Sequence, residues 1–436
     1  MADLTVDQIA RLGLVGCGGA GFPTHVKLQA PVETVIVNGA ECEPLLHKDK
    51  ELMRLHGQEM LEGLRIAMRL TGAQRGVVGI KHRYEDVIAG IRALIGDDGI
   101  SVHELTDTYP AGDEFILTFD VTGAVIPPGG LPKDVGVLTQ NVETLINLAR
   151  ARPVTRKCLT VGGAVREPVS LEVAIGTSLR VCIEAAGGAT AADIAVLTGG
   201  VMMGRLATDL DAPVIKTTGA VLVFPADHPL IAKCHRTEDH TVRIGRSACD
   251  QCSFCTDLCP RWLLGHPIEP HRAMRALGFH EERAQLVLGA SYCCECNLCS
   301  LIACPEDLDP RGACIRDKPT AREQGLQHPL HGRETRPHAL YSHRRTPISR
   351  LIAKLGLRQF RNEGPMRAEP LIPDRVTIPL RQHIGAPAEP TVKRGERVGE
   401  GDLIAAIPEG SLGAPIHASI SGQVAAITEE AITLNR

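Results

Sequence analysis

Aromatic residues are scarce in this chain: they make up 3% of its 436 residues, with a single Trp. Few aromatic side chains argue against a surface that stacks nucleic-acid bases. The 47 basic residues are offset by 51 acidic ones, so no positive excess attracts a phosphate backbone. A nucleic-acid partner is therefore not expected.

Two kinds of hydrophobic segment are also missing. No run comes near the roughly eighteen apolar residues that a membrane-spanning helix needs. The first sixteen residues include acidic side chains and lack a basic leading segment, so a secretory signal is not expected. The sequence predicts a cytoplasmic protein without a transmembrane segment.

Cysteine, by contrast, is abundant, with fifteen residues. In a chain without an export signal, so many thiols indicate a reducing compartment and a metal-binding role. Eight of them form two runs that each end in Cys–Pro: Cys249, Cys252, Cys255 and Cys259, then Cys293, Cys296, Cys299 and Cys304. The first run has the spacing C-x2-C-x2-C-x3-C-P, which is typical of four-iron ferredoxin sites. We therefore predict two 4Fe–4S clusters.

In two-cluster ferredoxins, the cysteine before the proline ligates the other cluster. The predicted ligand sets therefore exchange their last members: Cys249, Cys252, Cys255 with Cys304, and Cys293, Cys296, Cys299 with Cys259. Zinc sites and disulfides are the alternatives, although zinc normally takes two Cys pairs separated by a longer spacer.

The second run departs from the pattern in two ways. Four residues rather than three precede Cys304, and the run contains an additional thiol, Cys294. Cys294 could be a bystander or an alternative ligand. These departures bear on which thiols hold the second cluster more than on whether the cluster exists.

The remaining pattern predicts a multidomain α/β protein. Strands and helices alternate up to residue 150, as in a Rossmann-like domain. Short strand-like runs with one helical stretch predict a β-grasp-like domain over 151–230, followed by a two-cluster ferredoxin-like domain over 231–325. Residues 326–370 are a basic linker with an amphipathic helix, either packed on the body or facing an anionic partner.

Residues 371–436 are short strands separated by Gly and Pro turns. They look like the barrel-sandwich hybrid of biotinyl and lipoyl carriers. Those carriers modify a Lys in a hairpin, and no Lys follows Lys393 here. A structural or docking role is therefore expected rather than a swinging arm.

A glycine-rich loop near the N-terminus leads into a predicted helix. Its Gly16, Gly18, Gly19 and Gly21 could present backbone N–H groups to a phosphate, with the helix dipole behind them. A glycine cluster alone is a weak signal. Three further segments strengthen it: NGAECEP at 38–44, YPAGDE at 109–114 and QNVET at 140–144.

In this order, GxGGAGFPTxxK, NxxExEP, the GDE turn and NVET resemble the FMN- and NADH-binding subunit of respiratory complex I. PPGGLPxDVGV, IPLRQHIGAPA and HASISG resemble the C subunit of Rnf complexes, where the tail-like module is N-terminal. The C-terminal tail seen here, with YPAGDE and CCECNLC, is similar to the cobalamin reductases of propanediol-utilisation microcompartments. The resemblance covers nearly the whole chain.

The resemblance implies a set of nucleotide-binding residues. Phe22, Glu43 and Glu114 would face NADH, and the two glutamates are the predicted catalytic residues. Lys27 suits the flavin phosphate or the N1/O2 edge of the ring, where positive charge favours reduced flavin. The residues expected to bind FMN are Gly16, Gly18, Gly19, Gly21, Lys27, Asn38, Glu41, Cys42, Gly112, Asp113, Gln140, Asn141 and Thr144.

Two positions depart from the complex I pattern. Cys17 stands where that family has an Arg, and Gly129–Gly130 follow a proline pair where it has an aromatic residue that would help to hold NADH. NADH binding is therefore less fully specified than flavin binding.

The implied activity is electron transfer from NADH through FMN and two clusters to a corrinoid, from cob(III)alamin through cob(II)alamin to cob(I)alamin. It would support B12-dependent diol metabolism, and the β-grasp-like domain could hold the corrinoid. One alternative is a subunit that exchanges electrons with a ferredoxin or flavodoxin. Another is a conduit across a microcompartment shell. A shell protein or an adenosyltransferase is a possible partner, with a location at a bacterial microcompartment.

Overall fold

The computed structural model describes residues 4–279 and 287–436. Its N-terminal region alternates strands with helices. In chain order the elements are α1 Val6–Arg11, α2 Thr24–Lys27, β1 Thr34–Gly39, α3 Lys48–Thr71, β2 Arg75–Lys81, α4 Glu85–Leu94, β3 Ile100–Leu105, β4 Thr108–Tyr109, α5 Glu114–Thr122, β5 Val137–Asn141 and α6 Val142–Arg150.

Four of these strands form a parallel sheet in the order β3-β2-β1-β5. The buried valines of β1 pack against α3 and α6. These helices approach closely at Gly63, where any Cβ would collide with the backbone of Leu145. Since β1 has β2 on one side and β5 on the other, the strand order reverses beside β1. Ligands bind at the carboxyl ends of such strands, where Asn38 is the register partner of Asn141.

The next region has one helix and a mixed sheet. Its elements are β6 Arg156–Gly163, β7 Val169–Ala174, α7 Leu179–Ala185, β8 Ile194–Thr198, β9 Arg205–Leu206 and β10 Ala220–Pro225. The sheet order is β7-β6-β10-β8-β9, with β6 and β10 parallel and the other pairs antiparallel. Helix α7 buries Leu179, Cys182 and Ile183 against this sheet. This is the β-grasp-like arrangement that the sequence predicted.

The cysteine runs lie among short helices. These are α8 Pro229–Cys234, α9 Glu238–Ala248, α10 Phe254–Asp257, α11 Pro260–Leu263, α12 Pro270–Ala276 and α13 Pro310–Glu323, with a 3-10 turn Leu288–Tyr292 and a π turn Cys299–Ala303. A small core of Ala273, Met274, Leu277 and Ala313 joins α12 to α13. Residues 280–286 of the predicted 231–325 domain lie outside the described residues.

The basic linker packs where the three preceding regions meet. Its β11 Thr346–Pro347 pairs with β4, and α14 Ile348–Lys354 follows. Ile348 and Leu351 are buried with Tyr109, Phe224 and Leu298 from the other regions. The amphipathic helix is therefore a packed element, while the basic side chains Arg350 and Lys354 remain exposed.

The C-terminal region consists of two small antiparallel sheets, β12-β18-β17-β14 and β13-β15-β16. The strands are β12 Arg375–Pro379, β13 Glu389–Pro390, β14 Arg397–Val398, β15 Leu403–Ala406, β16 Ile416–His417, β17 Gly422–Ile427 and β18 Ala431–Asn435. This region also contacts the glycine-rich loop, because Ile384 N donates to Gly21 O at 3.0 Å. In the described part of the chain, none of the helices is both long and apolar enough to cross a membrane. The predicted domain boundaries stay predictions.

Candidate flavin and iron–sulfur site

The glycine-rich loop closes on itself beside the ends of β1 and β5. Gly16 N donates to Phe22 O at 2.9 Å, and Cys17 N donates to Thr144 Oγ1 at 2.9 Å. Gly19 has φ +113°, a left-handed conformation that favours glycine. Within the described residues, the N–H groups of 18–20 have no hydrogen-bond partner. Three free, exposed N–H donors in succession fit a phosphate.

Two asparagines connect the loops around this cleft. Asn38 Nδ2 donates to Gly112 O at 2.8 Å. Asn141 Oδ1 accepts from Glu143 N at 3.0 Å and so caps α6, while its Nδ2 donates to Asp49 Oδ2 at 3.0 Å. Both side chains therefore fix the shape of the cleft.

Glu41 holds the next segment in place. Its carboxylate accepts from Asp49 N at 2.8 Å and Lys50 N at 3.2 Å, which satisfies free N–H groups at the start of α3. Burial, reinforced by the negative charge of Asp49, raises the pKa of Glu41 to about 7. Glu41 thus anchors the loop that follows β1.

The adjoining loop leaves little space at Gly112. A Cβ on Gly112 would lie 3.3 Å from Asn38 Oδ1 and 3.4 Å from Cys42 Sγ. Burial raises the pKa of the Cys42 thiol to about 11, so the thiol stays protonated at neutral pH. Cys42 is a packing residue of the cleft wall in this arrangement.

Lys27 and Glu114 lie together and are partly exposed. Lys27 Nζ is 4.0 Å from Glu114 Oε2, and Thr139 Oγ1 donates to the same carboxylate at 3.4 Å. Phe22 is half-buried. Gln140 is buried, and its Nε2 has no hydrogen-bond partner among the residues that the structure describes. An unpaired buried amide is costly alone, and a flavin ring oxygen would satisfy it.

Glu43 has a different environment from Glu114. Its carboxylate accepts from Met202 N at 2.8 Å and Met203 N at 3.0 Å, in the turn between β8 and β9. Burial raises the pKa of Glu43 to about 7. The structure therefore engages Glu43 at the contact with the β-grasp-like region, and its contact with NADH stays a prediction.

The two departures from the complex I pattern have distinct surroundings. The Cys17 side chain is buried beneath the loop, and burial raises its pKa to about 11, so it supplies no charge. At Gly129, φ is +83° and a Cβ would collide with the imidazole of His331. The His331 ring, whose Nδ1 lies 3.1 Å from Tyr292 Oη, thus covers the position that lacks an aromatic side chain.

The two cysteine runs form matching loops, named here the outer loop (Cys249–Cys255) and the inner loop (Cys293–Cys299). In the outer loop, Gln251 and Ser253 are left-handed, with φ 59° and 66°. In the inner loop, Glu295 and Asn297 occupy the same positions, with φ 60° and 67°. This shared backbone aligns Cys293 with Cys249 and Cys294 with Asp250. The Cys294 thiol nevertheless hydrogen-bonds to Cys296.

The longer spacing before Cys304 also has a structural counterpart. Cys304 N donates to Cys299 O at 3.1 Å, an i to i+5 bond, across the π turn Cys299–Ala303. In the first run, Cys259 N donates to Thr256 O at 2.9 Å. A π turn accommodates an additional residue, so the extra residue is absorbed before Cys304.

The outer site is an open cavity whose lining includes Cys249, Cys252, Cys255 and Cys304. Gln251 Nε2 donates to Cys249 Sγ at 3.2 Å, and Leu308 N donates to Cys304 Sγ at 3.3 Å. Bonds of this kind stabilise cluster thiolates. Cys252 and Phe254 are exposed at its rim. The donor set and the cavity fit the first predicted cluster.

Disulfides and single-ion sites are the other interpretations of the cysteines. None of the fifteen cysteines, all of which lie within the described residues, is paired in a disulfide. Across the part of the chain that the structure describes, no three Cys, His, Asp or Glu side chains converge on a single-ion site.

The inner site is more enclosed than the outer site. Cys259, Cys296 and Cys299 are buried, and Glu295 N donates to Cys293 Sγ at 3.3 Å. A buried thiol on α13, Cys314, hydrogen-bonds to Cys293. Cys314 belongs to neither run, so sequence spacing gave no signal for it.

Two contacts join the inner site to the N-terminal region. Tyr109 Oη donates to Cys296 O at 2.9 Å. Arg261, two residues after Cys259, donates to Asp113 Oδ2 at 2.9 Å, and its guanidinium lies 3.5 Å from the centroid of the Phe115 ring. Asp113 also caps α5. Neither contact was predicted from sequence, because Cys296 and Arg261 both lie far from the flavin motifs in the chain.

Comparisons with known families agree with this domain order. Models of four families match: the Nuo51 FMN-binding domain at 9–150, the SLBB domain at 159–206, the 4Fe-4S dicluster domain at 248–309 and the RnfC barrel sandwich hybrid domain at 358–436. The fold class predicted from the sequence is confirmed.

Solved structures show the fold at lower similarity. The crystal structure of NAD⁺-reducing [NiFe]-hydrogenase in the H₂-reduced state matches with TM-score 0.50 and 20% identity, covering 74% of this chain and 62% of that chain. At this identity the likeness shows the fold alone.

Full-length relatives are more similar. Cobalamin reductase PduS of Salmonella typhimurium is 46% identical over 100% of this chain and 97% of its own length, and that of Citrobacter freundii is 44% identical over 99% and 96%. The C component of the Na⁺-translocating ferredoxin:NAD⁺ oxidoreductase complex of Acetobacterium woodii is 35% identical over 59% of this chain and 58% of its own length. The extent of identity to the two PduS proteins, over the whole chain, shows that the protein belongs to the cobalamin reductase family.

Proposed function

We propose that the protein passes electrons from NADH, through FMN and two 4Fe–4S clusters, to a corrinoid. Bound FMN would supply the conversion of a two-electron hydride into single electrons, which the clusters carry. The observation that carries the proposal is the direct connection between the cleft at β1 and β5 and the inner loop, through Tyr109 and the Asp113–Arg261 pair.

The residues around the cleft have separate tasks in this proposal. The free N–H groups of 18–20 would hold the phosphate, and Gln140 Nε2 would donate to the flavin. Lys27, with Glu114 beside it, would supply positive charge that favours reduced flavin. Asn38, Glu41 and Asn141 keep the loops in position.

The two cluster sites suggest an order of transfer. The inner site is buried between the N-terminal region and the β-grasp-like region, whereas the outer site opens to solvent at Cys252. We assign the inner site to Cys259, Cys293, Cys296 and Cys299, with Cys294, whose thiol hydrogen-bonds to Cys296, as the alternative ligand. Electrons would pass from the flavin to the inner cluster, then to the outer cluster and out to the acceptor.

The acceptor is proposed to be a corrinoid because the full-length relatives are named cobalamin reductases. A protein carrier is the second candidate, and exposed Phe254 beside the outer cavity is the observation that favours it. Exposed Asp250 and Glu306 also line that cavity. Their negative charge would repel an acidic carrier, which favours the corrinoid.

An anaerobic experiment tests the route. The purified protein is expected to contain FMN and about eight irons, as two cubanes require. Stopped-flow mixing with NADH should bleach the flavin first and the clusters second, and added cob(III)alamin should then be reduced. Absence of flavin, or no bleaching by NADH, would contradict the route. Corrinoid reduction that requires an added ferredoxin or flavodoxin would favour the second candidate.

We also propose that the protein works at a bacterial microcompartment, with a shell protein or an adenosyltransferase as its partner. The resemblance of the whole chain to propanediol-utilisation reductases supports this location. The exposed basic residues Arg350, Lys354 and Arg358 offer one docking surface. Pull-down of purified shell proteins by the full chain, compared with a variant carrying Glu at these three positions, tests it. No binding by either form would remove the shell proposal.

A further inference from the structure

We infer that the turn between β8 and β9 holds the flavin loop and the inner cluster loop at a fixed separation, and so controls electron transfer between them. This turn, residues 199–204, is named here the bridging turn. The inference rests on the proposed function, since it requires a flavin at one end and a cluster at the other. It gives the β-grasp-like domain a positioning task within the electron route.

On the flavin side, the bridging turn binds Glu43. The Glu43 carboxylate accepts from the backbone N–H groups of Met202 and Met203 at 2.8 and 3.0 Å. A Cβ at Gly200 would lie 2.5 Å from the Glu43 carboxyl carbon, so glycine permits this approach. Glu43 follows Glu41 and Cys42 in the loop after β1, so the contact fixes one wall of the cleft.

On the cluster side, the same turn accepts a hydrogen bond from the inner loop. Asn297 Nδ2 donates to Met202 O at 3.1 Å. Asn297 lies between Cys296 and Cys299 and is left-handed, with φ 67°. Met202 therefore uses its N–H for the flavin loop and its C=O for the cluster loop. A single residue links the two sites.

Packing reinforces these bonds. The Met202 side chain is buried in a cluster with Leu45, Tyr109 and Leu298. Tyr109 makes a second, parallel connection, since its Oη donates to Cys296 O at 2.9 Å. Buried and mutually supporting contacts of this kind hold a functional site to within fractions of an ångström.

The outer loop provides an internal reference. Its Ser253 occupies the position of Asn297 and has nearly the same φ, 66°. Ser253 Oγ, however, donates to Gln251 O within its own loop, at 3.4 Å. The long amide at 297 therefore reaches the bridging turn, where the short hydroxyl at 253 stays local.

The test is the Asn297→Gly variant, with Ser253→Gly as its matched control. Glycine keeps the left-handed backbone in both loops and removes only the side chain. Iron and FMN contents are measured first, and stopped-flow mixing with NADH then separates flavin reduction from cluster reduction. We expect Asn297→Gly to slow the flavin-to-cluster phase several-fold, with the flavin phase intact, and Ser253→Gly to leave the flavin-to-cluster phase unchanged.

Two further variants test the inference from the Glu43 side of the bridging turn. Gly200→Ala forces Glu43 from the turn without altering any polar group, and should slow the same phase. In Glu43→Gln, slower cluster reduction supports a positioning role, whereas slower flavin reduction assigns Glu43 to NADH and overturns the inference. Cluster reduction at the normal rate in both Asn297→Gly and Gly200→Ala, or equal slowing in Ser253→Gly, would also overturn it. A native protein without flavin or clusters would overturn the proposed function itself, and this inference with it.

Discussion

The outer and inner loops have the same cysteine spacing and have left-handed residues at the same positions. One loop is exposed to solvent, however, and the other is enclosed by neighbouring domains. Phe254 is 50% exposed, while Leu298, at the matching position of the inner loop, is 2% exposed. After the Cys–Pro pairs, Arg261 is buried against Asp113, and Glu306 is exposed. The comparison shows that a cysteine motif specifies the shape of a loop, and the neighbouring domains specify what the loop connects.

The largest expected effect comes from removing one ligand from each loop. Cys296→Ala and Cys252→Ala should each lose about four irons per chain, one cubane. In Cys296→Ala, NADH should still bleach the flavin while the remaining cluster stays oxidised. In Cys252→Ala, the inner cluster should still be reduced, and corrinoid reduction should stop. Iron assay, electron paramagnetic resonance and stopped-flow absorbance measure these outcomes; the opposite pattern would reverse the proposed order of clusters.

A second difference concerns the charged residues after the two Cys–Pro pairs. Arg261→Met leaves the carboxylate of Asp113 buried without its partner, and removing one member of a buried pair costs about 3–5 kcal/mol. Glu306→Gln, at the exposed matching position, should change stability by less than about 0.5 kcal/mol. Melting temperatures of the cluster-loaded proteins compare the two. Equal melting temperatures for the two variants would show that the Arg261–Asp113 contact does not hold the domains together.

A third prediction concerns the apolar residue between the second and third cysteines of each loop. Its expected effect on stability overlaps in size with that of the Arg261 variant. Leu298→Ala opens a cavity in the core shared by three domains and should cost about 2–5 kcal/mol. Phe254→Ala removes an exposed ring and should cost less than about 0.5 kcal/mol. Thermal unfolding measures the difference. If Phe254→Ala destabilises the protein as strongly as Leu298→Ala, the outer loop is not exposed to solvent as described.

Much of the candidate flavin site follows from the order of the sequence motifs. The segments at 38–44 and 140–144 follow β1 and β5, and adjacent parallel strands end at the same edge of a sheet. Motif order could therefore predict that these segments meet. It could not predict that Thr144 binds the backbone of Cys17, or that Glu41 binds the start of α3, because such bonds depend on where loops cross.

The assignment of Glu43 shows the same limit. Its motif predicts a contact with NADH, whereas its observed partners are backbone N–H groups of a turn 159 and 160 residues away. The turn has no charged residue that would mark it as a partner in the sequence. Only the packing of the β-grasp-like domain on the flavin loop brings them together.

The sequence by itself determined the cofactor classes, the domain order and the two matching cysteine loops, because thiol spacing and strand–helix alternation are local properties. The tertiary structure decided which loop is enclosed and which is open. It also placed Cys293 at the backbone position that matches Cys249, through left-handed residues at equivalent positions, and brought the Cys294 thiol to Cys296. Enclosure arises because Tyr109 and Met202 contact the inner loop and Arg261 contacts Asp113, and residues so distant in sequence meet only when separate domains pack together.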